Sequence, residues 1–134
     1  MKVYFSPQGV ASLFPNDIYE GTVNSFSYYL ITTSSNAGAP ISKLFIQIPT
    51  GFTISSINSL LINNTNYMYV SNTNIVIDYE SSSNLFPPQN GLDKITFTST
   101  TTPAITTNTY FDFKSYVHSS IPGAADNYTT TNQF

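Results

Sequence analysis

The sequence predicts an all-β protein built as a two-sheet β-sandwich. Three observations carry this reading. Short apolar runs recur along the chain, separated by clusters of Ser, Thr, Asn, Gly and Pro. Within the runs, apolar and polar residues alternate with the period of a strand, so each run has one face to bury. No segment sustains apolar spacings of three and four over successive turns, which limits helices to single turns. Strands that each bury one face are satisfied by two sheets packed together.

Val3–Phe5 reads as a first short strand, broken by the turn chemistry of Ser6-Pro7-Gln8-Gly9. Residues 11–16 read as a mildly apolar connector around Pro15, and 17–20 as a turn. Residues 21–33 form a strand with Phe26, Tyr28 and Leu30 on its core face. The opposite face carries Val23, Ser25, Ser27, Tyr29 and Ile31. Residues 34–40 are a loop.

Residues 41–52, ISKLFIQIPTGF, are the clearest strand in the chain. Leu44, Ile46 and Ile48 point to the core, and Phe45 and Gln47 point away as a candidate subunit contact. Pro49 ends the ladder because it lacks an amide donor. Gly51 turns the chain at positive φ. Residues 52–62 read as one bent strand or two short ones, and 63–66 as a turn. Residues 67–70 and 74–80 form a hairpin with Ile75, Ile77 and Tyr79 inward. Residues 81–91 are a surface loop whose Leu85 and Phe86 tuck over the core. Residues 93–99 form a strand with Ile95, Phe97 and Ser99 inward. A Thr-rich connection broken by Pro103 follows. Residues 108–119 read as a long late strand with Phe111, Phe113 and Val117 on one face. Residues 128–133 read as a last polar strand or as a frayed end.

Composition bounds what such a protein does. The chain has 134 residues, enough for one domain over 1–134 with a real core. Charged residues are only 8%, against roughly 25% in ordinary soluble domains. Hydroxyls and amides take their place, with 18 Ser, 18 Thr and 14 Asn. Ten Tyr and ten Phe separate this composition from that of disordered chains. The formal charge is -3, Arg is absent and the four Lys are scattered, so the chain lacks the basic cluster that neutralises phosphates and no nucleic-acid partner is expected. No apolar run approaches the ~20 residues of a spanning helix, and no direct membrane insertion is expected. With no Cys, no disulfide holds the fold. The neutral, hydroxyl-rich surface fits an extracellular or cell-surface protein.

No motif for catalysis appears. Asp78 and Glu80 share one strand face, but they lack the ligand spacing of a calcium loop. One His and no Cys leave zinc without a nitrogen and sulfur ligand set. His118 has no G-x-S-x-G nucleophile elbow to serve. The expectation is a non-enzymatic protein without a cofactor. Two binding ideas remain. Tyr110 and Tyr116 share a strand face with Asp112, a combination that stacks on and hydrogen-bonds a flat polar ligand such as a glycan. The short first strand and the polar last strand are expected at sheet edges, and an open edge accepts a strand from a neighbour, which points to self-association or to other surface proteins. Two N-glycosylation acceptors, at Asn63 and Asn127, suit a secreted glycoprotein.

Gly21-Thr22, Ser27-Tyr28-Tyr29-Leu30, the I-x-x-P-x-G-F run of 46–52 and the strand leading to Pro103 together resemble immunoglobulin-like modules of secreted bacterial and archaeal surface proteins. The resemblance spans about two thirds of the chain. The Tyr, Ile, Ser, Thr and Asn bias is similar to that of filament and cell-wall proteins of thermoacidophilic archaea and of their viruses. It implies a sandwich of immunoglobulin-like or jelly-roll type. It also implies a structural or adhesion role in a surface filament, cell-wall layer, or viral coat or appendage. It carries no catalytic residue to this chain.

Overall fold

A computed structural model of the protein describes residues 10–14, 24–32, 40–82, 86, 91–103, 111, 113–119 and 127–129. These form a two-sheet antiparallel β-sandwich of nine strands: β1 (Val10–Phe14), β2 (Asn24–Ile31), β3 (Lys43–Gln47), β4 (Thr53–Ser59), β5 (Met68–Ser71), β6 (Asn74–Asp78), β7 (Leu92–Thr101), β8 (Ser115–His118) and β9 (Asn127–Thr129). One sheet has the order β1-β2-β7-β4 and the other β5-β6-β3-β8-β9. The first order is that of the A-B-E-D sheet of immunoglobulin-like sandwiches, and β3-β8-β9 follows their C-F-G order. The β5–β6 hairpin is inserted after the fourth strand and pairs along the outer side of β3. A single 3-10 turn, Thr65–Tyr67, precedes it.

The alternation seen in the sequence is the alternation of burial. Phe26, Tyr28 and Leu30 of β2, Leu44 and Ile46 of β3, Ile75 and Ile77 of β6, and Ile95 and Phe97 of β7 are buried between the sheets. Ile48 packs against this core from its rim. At one end of the sandwich the Phe26 and Phe97 rings stack at 5.2 Å, and Phe113 meets Phe52 edge-on at 5.2 Å. Such pairs add about 0.5–1.5 kcal/mol beyond their buried area. Phe86 is buried as expected and joins the fold through a bridge with Ile41. Leu85 lies outside the described residues, as do Val3–Phe5 and most of the 34–40 loop.

Two elements differ from the sequence reading. Residues 10–14 are a full edge strand along β2, with Leu13 buried, where a connector was expected. Among the described residues of the expected 108–119 strand, Ser115–His118 are strand and Phe111, Phe113 and Lys114 are not; Phe113 precedes the strand yet fills the core. Of the two readings of residues 52–62, the structure shows the single bent strand, and its bend is a β-bulge between Thr53 and Ser56. Gly51 has φ +97, and a Cβ there would lie 2.7 Å from Pro103 Cγ, so the turn after Pro49 needs both the glycine conformation and its missing side chain.

Candidate functional site

Among the described residues one carboxylate is fully buried. Asp93 is on the core face of β7, in the alternation that continues through Ile95 and Phe97. Its Oδ2 accepts from Tyr79 Oη at 2.7 Å and from Ser59 Oγ at 2.7 Å. Its Oδ1 accepts from the backbone amides of Leu60 at 3.0 Å and Leu61 at 3.3 Å. Ser59 Oγ accepts in turn from the amides of Leu61 and Ile62. The carboxylate therefore satisfies donors that the chain exposes where it leaves β4 and crosses toward the other sheet. Tyr79 follows β6 in that other sheet, so the Tyr79–Asp93 bond ties the two sheets. Burial first, and then the Asp93 carboxylate beside it, push the Tyr79 phenol well above its ordinary value near 10. A second tie joins Tyr28 Oη of β2 to Ser115 Oγ of β8 at 2.6 Å. Among the described residues no buried side-chain nitrogen or oxygen lacks a hydrogen-bond partner.

The polar atoms of this network satisfy one another, which suits holding the fold together. Asp78 accepts from the amide and hydroxyl of Ser81, at 3.0 and 2.8 Å, and so caps the turn after β6. Glu80 beside it is exposed. Among the described residues no three His, Asp or Glu side chains gather into a metal-binding group.

The outer face of the five-stranded sheet carries a row that crosses its strands. Tyr69, Val76, Phe45 and Tyr116 lie opposite one another in successive registers. Phe45 and Tyr116 stack at 4.6 Å with an interplanar angle of 10°. Each ring thus occupies one face of the other. Gln47 is exposed at the end of β3. Tyr110 and Asp112 lie outside the described residues, so of the expected glycan contacts the structure places Tyr116. Asn63 is exposed between β4 and the 3-10 turn. Asn127 opens β9, in register with Val117.

A different surface was missed by sequence reasoning. β4 and β5 are terminal strands of the two sheets, and they approach each other across the sandwich. Both sheets therefore present an edge on the same side. Leu60, exposed to 65%, directly follows β4, and Val70, to 46%, and Tyr69, to 41%, belong to β5. Residues 44–77, which include both edges, contain no charged side chain. Natural sheets ordinarily protect such edges with Lys, Pro or inward charge. The available signal was the gap in charge between Lys43 and Asp78, which has meaning only once the strand order is known. Comparison with protein-family models, with curated proteins and with solved structures gives no match for this chain.

Proposed function

We propose that this protein is a non-enzymatic structural subunit that associates with copies of itself in an extracellular assembly, such as a surface filament, a cell-wall layer or a viral coat. The observation that carries the reading is the uncharged side of the sandwich, where two sheet edges meet and three exposed apolar side chains belong to or adjoin the edge strands. A patch without charge neither repels a copy of itself nor requires the desolvation of ions on contact. The neutral hydroxyl and amide surface supports a location outside the cell, and the resemblance to immunoglobulin-like surface modules agrees with it.

The alternative is a carbohydrate-binding module using Tyr116 on the outer sheet face. It is the weaker reading, because Phe45 already covers one face of the Tyr116 ring. Sedimentation velocity and negative-stain microscopy of the full chain over a range of concentrations test the proposal. The expected result is concentration-dependent association with dimers, particles or filaments. A monodisperse monomer at every concentration, joined to a glycan-array signal that Tyr116→Ala abolishes, would transfer the assignment to glycan binding.

A further inference from the structure

The two edges on the uncharged side are not equally open, and the hydrogen-bond pattern decides between them. The Leu60 amide donates to Lys94 O, so Leu60–Lys94 is a hydrogen-bonded pair of the β4–β7 ladder. Pairs in an antiparallel ladder alternate between hydrogen-bonded and not. Ser56 and Asn58 therefore direct their backbone groups at β7, whereas Ile57 and Ser59 direct theirs away from the sheet. Among the described residues nothing bonds to those outward groups. On β5 the same argument leaves Val70 outward, but the outward Met68 amide is already given to Thr65 O. Asn72 beyond it sits in the hairpin turn at φ 54. β4 thus offers two complete outward residues, and β5 offers one.

We infer that β4 pairs with β4 of a second copy, antiparallel about a two-fold axis at Asn58. This rests on the self-association proposed above and names its contact. Three features select this occupant and this register. A two-fold interface is isologous, so each group must find its own complement. With the axis at Asn58, Ile57 faces Ser59 of the other copy, and both outward residues on each strand exchange backbone bonds. An axis at Ile57 would require Ser55, which lies in the bulge, and an axis at Ser59 would require Leu61, whose amide is held by Asp93 and Ser59. The uncharged span 44–77 lets the two edges meet without opposing like charges. The pairing joins the two four-stranded sheets into one continuous sheet and sets exposed Leu60 opposite Ser56 of the second copy.

The absence of cysteine makes the test direct. Asn58 would face itself in a non-hydrogen-bonded pair, with Cα atoms about 4.5 Å apart, within the range a disulfide spans. Ser56 would lie about 13 Å from Ser56 of the other copy along the strand, too far to bridge. Single-cysteine variants Asn58→Cys, Ser56→Cys and Tyr69→Cys are oxidised at a concentration where the wild-type chain associates. Asn58→Cys should form the covalent dimer at least about tenfold faster than the other two. Separately, Asn58→Lys and Asn58→Glu alone should each raise the association midpoint at least about tenfold, and an equimolar mixture should restore it. If Tyr69→Cys links faster, or if Asn58→Lys associates like the wild type, this contact is wrong while self-association stands. A wild-type chain that never associates overturns both.

Discussion

The buried end of β7 and the open edge of β4 use polarity in opposite ways. Around Asp93 a full carboxylate is taken out of water and surrounded by two hydroxyls and two amides. Along β4, whose C-terminal end that carboxylate holds, neutral side chains flank outward backbone groups to which no described residue bonds. Charge normally sits outside and hydrogen-bonded neutrality inside. Here the two are exchanged. The comparison teaches that a cysteine-free sandwich obtains its internal ties from buried hydrogen bonds, while its low surface charge leaves an edge fit for association. The buried side should therefore tolerate little change, and the open side a great deal.

The largest effect is expected at the first of these regions. Asp93→Ala removes the acceptor for Tyr79, Ser59, Leu60 and Leu61 together and leaves several donors unsatisfied in the interior. The expected loss is about 3–5 kcal/mol of unfolding free energy, measured by urea titration. A midpoint within error of the wild type would show that water replaces the carboxylate, and the contrast between buried and open regions would collapse. Gly51→Ala should follow, costing about 2 kcal/mol or more. The substitution combines an unfavourable positive φ with a Cβ that must displace Pro103.

Much of this fold was legible from side-chain alternation. Phe26, Tyr28 and Leu30, and likewise Ile75, Ile77 and Tyr79, sit where a period of two places them. The same rule applied one pair further along β7 puts Asp93 inside. Local sequence does not reveal that burial, because a carboxylate ordinarily belongs at the surface and the value of burying this one lies in donors from Ser59–Leu61 and Tyr79 that are distant in sequence. The strand at 10–14 was hidden for a related reason. Its pattern is weak, and its pairing with β2 supplies what local preference does not. The open side depended on strand order, which alternation does not encode. Asn58 is an unremarkable polar residue until β4 is known to be terminal.

A moderate effect is expected at Tyr79, and pH separates its two contributions. Tyr79→Phe removes one donor from Asp93 while Ser59 keeps bonding the same oxygen, so about 1–2 kcal/mol should be lost near neutral pH. The folded phenol titrates above its unfolded value of about 10. The fold therefore holds the protonated form, and the corresponding stability is complete below about pH 10 and declines as pH rises through the folded value. Wild-type unfolding free energy should fall steeply in alkali, and Tyr79→Phe should flatten that fall. Equal alkaline slopes in the two proteins would mean that another tyrosine governs the transition.

The smallest effect on stability is expected at Leu60. Its backbone amide serves Asp93 and Lys94, but its side chain is largely in water. Leu60→Ser keeps the amide and removes exposed apolar area, so the unfolding free energy of the monomer should change by no more than about 0.5 kcal/mol. Association should nevertheless weaken, since the side chain would be buried only against a second copy. Thermal unfolding at dilute concentration and sedimentation at high concentration read these two quantities on one variant. A loss of monomer stability comparable to that of Tyr79→Phe would place Leu60 in the monomer's own packing, and the open side would then be part of the core's boundary rather than a surface kept for another copy.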